Sequence, residues 1–333
     1  MDSNKIIVLT PVKNEAWILE QFLKSASLFA DCIIVADQKS TDESRDICAK
    51  FPKVQLIENK TDKYDEASRQ VLLIETARQL FPNDKRIFFC LDADELFSAD
   101  SLTLDESWTK IKSLKQGTSI YIEKPDILHG INRCVRWKDN YFPIGYIDDG
   151  LSHTAKTIHS KRIPENPEGE DVYIDDIKIL HFAHSRRNVQ SAKLRYYSVL
   201  ENINQSKAFY VRRYAYPCFY DEIKTYPIEN IEPVPEVWLK EYDELGIDLR
   251  HLDDPIYPWH DFEILEAFKK YGLKKFYQDD IWEFDWDGCV KASPSADRTD
   301  LSLKTINGPG IVLKALLKVS DAMYTLYRKL KFN

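Results

Sequence analysis

No cysteine in this 333-residue chain stands in a C-x-x-C pair. The six present, Cys32, Cys48, Cys90, Cys134, Cys218 and Cys289, are irregularly spaced. That excludes the common zinc ribbons and dithiol redox motifs. With Cys32 and Cys90 in or beside apolar runs, all six read as reduced thiols. No apolar run is long enough to span a bilayer, and there is no internal repeat or low-complexity tract. Positive charge is also short: 46 Lys and Arg face 54 Asp and Glu, for a net charge of −8. Bulk nucleic-acid binding, which needs a basic face, is therefore excluded. An acidic protein that takes a phosphate ligand must neutralise it locally, with a metal or a few placed cations. Met1-Asp2-Ser3-Asn4-Lys5 leads directly into an apolar run, so the expectation is a cytoplasmic protein without a leader, within reach of the inner face of the cell membrane.

What is present suits a globular chain with a sizeable core: 44% hydrophobic and 30% charged residues, with 18 Tyr, 16 Phe and 7 Trp. The length predicts a main domain with an accessory region. Lys5 to Thr10, Cys32 to Ala36, Val54 to Ile57 and Arg86 to Leu91 are short, apolar, β-branched or aromatic runs that read as buried strands. Between them, Glu15 to Phe29 and Asp65 to Leu80 show helical apolar spacing, the second with Val71, Leu72, Ile74 and Ala77 on its apolar side. Ser40-Thr41-Asp42 offers N-caps for a helix through Ala49. The order predicts an α/β fold, with a central, mostly parallel sheet covered by helices on both faces. Ligands of such sheets bind beyond the carboxyl ends of the strands, here Thr10 to Glu15, Asp37 to Asp42 and Asp92 to Glu95.

Farther on, Ser119 to Glu123 and Val172 to His184 contain strand-like runs, and Asn188 to Ile203 reads as a helix. Prolines and aromatics then become dense. The expected division is a nucleotide-binding domain over 1–205, a helical, aromatic region over 206–308 and a terminal helix over 309–333. In that helix Val312, Leu316, Val319, Met323, Leu326 and Leu330 recur at alternating four and three steps, among Lys314, Lys318, Arg328, Lys329 and Lys331. Such a stripe fits an anionic membrane, or docking on its own protein or on another copy in a homo-oligomer.

The strongest chemical signal is Leu91-Asp92-Ala93-Asp94-Glu95 after the fourth strand. Two carboxylates spaced i, i+2 at a strand end call for a cation. Mg²⁺ or Mn²⁺ takes such oxygen ligands together with phosphate and water. Thr10-Pro11-Val12-Lys13-Asn14-Glu15 and Asp37-Gln38-Lys39-Ser40-Thr41-Asp42 end the first two strands.

These three motifs, in this order, resemble the family 2 glycosyltransferases, well over residues 5 to 100 and loosely to about 200. The resemblance implies the GT-A (Rossmann-like) fold, a mainly helical C-terminal region beyond it, a divalent metal and a nucleotide-diphosphate sugar as donor. It also implies inverting transfer to a hydroxyl of a glycan or lipid-linked acceptor, in surface polysaccharide or glycolipid assembly. By the same resemblance Thr10 and Glu15 line the nucleotide pocket, Asp37 meets the base, and Arg69 faces the nucleotide. Asp92 and Asp94 hold ribose, metal and diphosphate. Lys39 stands where the family commonly has a small Gly. His181, in His181-Phe182-Ala183-His184, resembles a metal ligand found at the end of a late strand. Arg186, Arg187 and Lys193 offer cations for the diphosphate.

A general base is expected in Asp148-Asp149, on an aromatic, Gly-bounded loop, with Asp175-Asp176 as second choice. Trp137, Tyr141, Phe142 and Tyr146 could stack on an acceptor sugar or simply pack. Alternative readings are a sugar-phosphate nucleotidyltransferase, which usually carries a Gly-rich basic loop after the first strand, and a non-catalytic nucleotide-sugar-binding module.

Overall fold

Asn4–Val12 (β1) alternates its side chains across a sheet. Ile6 and Val8 enter one buried cluster, and Ile7 and Leu9 enter another on the opposite face. Helix α1 (Ala16–Phe29) covers the first face with Ile18, Leu19, Phe22 and Leu23. Strands β2 (Cys32–Asp37) and β3 (Val54–Glu58) follow, with the short helix α2 (Ser44–Cys48) between them. Helix α3 (Glu66–Leu80) covers the second face through Leu73, Ile74 and Ala77. Leu73 thus stands on the inward side where Val71 was expected, and Val71 is 39% exposed. The computed structural model describes residues 4–60, 66–137, 140–153, 162–164, 166–293 and 306–332. The expected helix start at Asp65 lies outside them.

Strand β4 (Lys85–Cys90) pairs in parallel with β1. Then come β5 (Glu95–Phe97), helix α4 (Asp105–Ser113), β6 (Ser119–Glu123), β7 (Asp126–Ile127), β8 (Arg133–Val135), β9 (Tyr141–Ile147) and β10 (Asp171–His181). Much later β11 (Ile231–Pro233) pairs with β8. Among the described residues the order is β11-β8-β7-β10-β6-β9-β4-β1-β2-β3, with β5 on β10. Strands β1, β2, β3, β4, β6 and β10 all point the same way, and β9 runs against its neighbours β4 and β6. One end of the sheet therefore gathers Val12, Asp37, Glu58, Cys90, Glu123 and His181.

The chain forms two compact units. The first comprises 1–185 and 226–252, so it closes after Ser185, earlier than the break expected near 205, and takes back a later segment. That segment is tied in by the β11–β8 pairing and by Tyr242, whose hydroxyl bonds the Phe97 carbonyl and lies 3.1 Å from Ser25 Oγ. It also carries the short helix α8 (Lys240–Glu244).

The second unit, 186–225 with 253–333, is helical. Helices α5 (Arg187–Asn204), α6 (Phe209–Ala215), α7 (Glu222–Thr225), α9 (Trp259–Tyr271), α10 (Trp286–Ala292) and α11 (Ile311–Phe332) build it. Its core joins Val199 to Ile264, Leu265, Phe268, Phe276 and Trp286. Two guanidinium–carboxylate pairs are buried there, Arg195 with Asp261 at 2.9 Å and Arg212 with Asp279 at 2.7 Å. Helix α11 docks through Leu317, an Asp321–Arg213 pair and Tyr324 against Tyr210 and Tyr214. Its other side leaves Val312, Leu316, Val319, Met323, Leu326 and Leu330 between 58% and 78% exposed.

Candidate active site

The first two loops at the carboxyl end are stitched together. Asn14 turns the chain at a left-handed φ of +56°. Its backbone N–H donates to Ser40 Oγ at 2.9 Å, and its side-chain oxygen accepts from Thr41 N at 2.8 Å. Asp42 accepts from Ala16 N at 3.0 Å with one oxygen and from Ser44 N at 3.1 Å with the other. Ser40, Thr41 and Asp42, expected as helix N-caps, thus mainly anchor the neighbouring loop. Lys39 adopts φ +52°. This is a conformation that a glycine takes without steric cost.

Thr10 is fully buried, and its hydroxyl has no hydrogen-bond partner among the described residues. Glu15 precedes α1, and its carboxylate accepts from Trp17 Nε1 at 2.6 Å. Asp37 is buried; it pairs with Arg45 at 2.9 Å and accepts from Ser40 N. Arg69, on α3, is close enough for its charge to act on Asp92. A small hollow beside Asp92 is lined by Leu9, Pro11, Gln70, Ile74, Cys90 and Arg162. Thr10, Asp37 and Arg69 therefore share the end of the sheet that holds Asp92.

Asp92 and Asp94 diverge. Asp92 pairs with Arg162 Nη2 at 2.5 Å. Glu95, fully buried, is bonded by Arg162, by Lys124 at 2.9 Å and by the Asp92 backbone N–H at 3.0 Å. Burial alone would raise the Glu95 carboxyl. The Arg162 and Lys124 cations outweigh it and hold the group well below the usual carboxylate range.

Asp94 faces the other way. Its carbonyl accepts from Phe182 N at 2.8 Å, and its carboxylate lies 3.9 Å from His181 Nε2. His181 Nδ1 is 2.6 Å from Asp126 Oδ1. Burial would raise Asp126, but the His181 contact outweighs it and its carboxyl lies below the ordinary value. With Nδ1–H donated to Asp126, Nε2 presents a lone pair toward Asp94. Asp126, His181 and His184 also offer ligand atoms within 4.8 Å of one another. Tyr226 Oη lies 3.1 Å from His184. Carboxylate oxygen plus imidazole nitrogen is a donor set that suits Mn²⁺ better than Mg²⁺. A carboxylate fixing the second ring nitrogen is the usual support of a metal-binding histidine. The residues present therefore fit a divalent ion between Asp94 and His181.

The expected base is placed elsewhere. Strand β9 runs against β4, with Ile147 opposite Ile87 and Gly145 opposite Phe89. Asp148 and Asp149 therefore sit at the start of β4, the far end from Asp92. Asp148 is fully buried, paired with Arg78 at 2.6 Å and Arg86 at 2.7 Å. Asp149 accepts from Leu151 N and Asn166 Nδ2. This corrects the reading of that pair as the base: the antiparallel turn of β9 carries both carboxylates away from the ligand end. Asp175 accepts from Tyr141 Oη at 2.7 Å and Asp176 from Ser107 Oγ at 2.5 Å, at an irregularity of β10. Lys193, with Arg186 and Arg187, belongs to the second unit; its ammonium is 5.9 Å from the Tyr197 ring.

Arg162, Lys124, Asp126 and His184 enter the site without having been singled out as site residues. The spacing of His181 and His184 was a usable signal. Arg162 has none, since it comes seventy residues after Asp92.

Comparison with known proteins bears on residues 7–104, which match the family described as glycosyl transferase family 2. No curated protein matches. Among solved structures, glucosyl-3-phosphoglycerate synthase from Mycobacterium tuberculosis, in complex with Mn²⁺, uridine diphosphate and glucosyl-3-phosphoglycerate, is similar at 16% identity. That match covers 37% of this chain and 44% of that one, with a TM-score of 0.26, so the chain spans less than half of that synthase. A glycosyltransferase involved in glycosylation of the major capsid of PBCV-1 is 13% identical over 51% of this chain and 82% of that one, with a TM-score of 0.28. A nucleotidyl transferase from Methanothermobacter thermautotroptrophicus is 10% identical over 42% and 70%, also with a TM-score of 0.28.

Proposed function

We propose that this chain, whose residues 7–104 match glycosyl transferase family 2, moves a sugar, with inversion, from a nucleotide-diphosphate donor to an acceptor hydroxyl. The observation that supports this most directly is the approach of Asp94 to His181, 3.9 Å apart at the carboxyl end of β4. In this reading Asp94 and His181 would hold a divalent ion, which would supply positive charge against the departing diphosphate, and Asp126 would keep His181 in the tautomer that leaves Nε2 for the ion. Arg162 offsets Asp92 and Glu95 so that the loop keeps its shape. Thr10, Glu15, Asp37, Arg69 and Asp92 would line the nucleotide and ribose pocket.

A thermal-shift screen of nucleoside diphosphates and nucleotide sugars, with and without Mn²⁺, tests the donor. Ligand at a hundred times its dissociation constant stabilises by about 2.7 kcal/mol. A Mn²⁺-dependent rise in melting temperature with one base is expected; no shift with any of them would overturn the reading.

The acceptor side of the proposal is surface polysaccharide or glycolipid assembly at the inner face of a membrane. None of the described helices is long and apolar enough to cross one. Helix α11 instead carries an exposed apolar stripe beside Lys314, Lys318, Arg328, Lys329 and Lys331, with Asp321 already paired to Arg213. A local cationic helix on an acidic chain fits an anionic bilayer surface. Full-length protein should pellet with phosphatidylglycerol-containing vesicles, and L316S/M323S, at positions 62% and 68% exposed, should stay in solution. Equal pelleting of the variant would sink the idea, as would an apolar-stripe dimer that these changes dissociate while vesicles never bind.

A further inference from the structure

A cleft of about 400 Å³ opens in the first unit, lined by Glu123, Arg136, Trp137, Tyr141, Glu229 and Glu232. Its position follows from strand register. Glu95 stands opposite His181, His181 opposite Asp126, Asp126 opposite Val135, and Val135 opposite Ile231. One row across the sheet therefore runs from the carboxylate motif through the histidine to the strands that frame the cleft. Two strand spacings, about 10 Å, separate the His181 strand from the one that ends beside Arg136. The cleft shares a corner with the candidate site: Glu123 lines it, and the next residue, Lys124, is bound to Glu95. On another side Trp137 packs edge-on against Tyr226, at 6.1 Å and 64°, and Tyr226 bonds His184.

The lining decides what can enter. Three carboxylates face the space, and Arg136 is the only cation of the described lining. Its guanidinium is already engaged, bidentate with Glu123 at 2.7 and 3.0 Å and 3.6 Å from Glu232. A phosphate or a uronate would meet net negative charge there. Glu229 is exposed, Glu232 keeps 49% of its side chain accessible, and Trp137 is 38% exposed. Asn140 and Asn230 add amides that both donate and accept. Carboxylates and amides around an accessible indole bind the hydroxyls of an uncharged sugar while its apolar ring face rests on the aromatic.

The geometry points to this cleft as the seat of a neutral saccharide acceptor, its ring on Trp137 and its hydroxyls donating to Glu229 and Glu232. The assignment rests on the glycosyl-transfer reading, and the test separates the two. Full-length protein is examined by saturation-transfer NMR with methyl glucoside, methyl galactoside, methyl mannoside and methyl N-acetylglucosaminide, with glucuronate as the anionic counterpart. At least one neutral glycoside should receive saturation and glucuronate none. W137A and, separately, E232Q should weaken that binding about tenfold, the loss of one good contact, while the nucleotide-induced thermal shift stays as in the parent. E232Q, an exposed and isosteric change, keeps the test valid if W137A does not fold. Silence from every neutral glycoside, undiminished binding in E232Q, or a preference for glucuronate would overturn the assignment. Loss of the nucleotide shift in the parent protein would instead strike the glycosyl-transfer reading and leave the saccharide result standing.

Discussion

Asp94→Ala will reduce Mn²⁺-dependent release of nucleoside diphosphate from the preferred donor by at least about 10²–10³-fold, the usual loss when one group that stabilises developing charge is removed. The variant should fold normally. Asp94 contributes its backbone carbonyl to Phe182, which alanine preserves, and among the described residues its carboxylate forms no ion pair shorter than the 3.9 Å approach to His181. Asp126→Asn is the companion. It leaves the carboxylate of Asp94 in place but removes the charged acceptor that fixes His181 Nδ1–H at 2.6 Å. Removing such a support costs about 10–100-fold in metal affinity. A Mn²⁺ titration followed by electron paramagnetic resonance reads this directly, without turnover. If both variants bind Mn²⁺ as tightly as the parent, the ion does not sit between Asp94 and His181.

The largest effect on stability should come from Asp148. Its carboxylate is fully buried between Arg78 and Arg86. Removing one partner from a buried ionic cluster leaves unpaired charge and costs about 3–5 kcal/mol. Asp148→Ala should therefore lower the denaturation midpoint severely, with Asp148→Asn lying between. Burial would raise this carboxyl, but Arg78, Arg86 and the Gly150 N–H together hold it below its ordinary value. A depressed carboxyl contributes stability that is fully present above the unfolded-state value. That contribution is lost as the pH falls through the folded-state value. The parent should therefore lose more stability than Asp148→Asn on acidification through the carboxylate range. A variant of parental stability that had lost activity would restore Asp148 as a catalytic group.

The regular part of the sheet was legible because periodicity speaks clearly there. Runs such as Ile6 to Leu9 and Ile87 to Cys90 are buried on both faces, as parallel strands are. The loops after β1, β2 and β4 fell where such strands end. What stayed hidden depended on pairing between distant segments. Strands β5, β7, β8 and β11 have two or three residues each, too few to show alternation. The reversal of β9 sent Asp148 to the wrong end of the sheet, and a Gly-bounded acidic pair carries no mark of strand direction. Arg162 and Lys124 meet Glu95 only through tertiary packing. Trp137 and Tyr141, weighed as stacking residues, do line a cleft, but Phe142 lies beneath the Lys124 ammonium and Tyr146 is fully buried. The accessory segment was misjudged for a similar reason: β11 and Tyr242 belong with strands nearly a hundred residues or more earlier.

The six thiols bear on how unfolding of this protein can be followed. Five are buried and Cys32 is partly so. Burial raises every one of them, to about 11 for Cys48, Cys134 and Cys218 and about 12 for Cys90 and Cys289. Native protein thus presents almost no thiolate at neutral pH, and an alkylating reagent reports opening of the structure rather than surface chemistry. Four of these sulfurs lie in the first unit and two in the second. Counting alkyl groups by mass after a brief pulse therefore distinguishes which half of the molecule has let go, with no engineered probe.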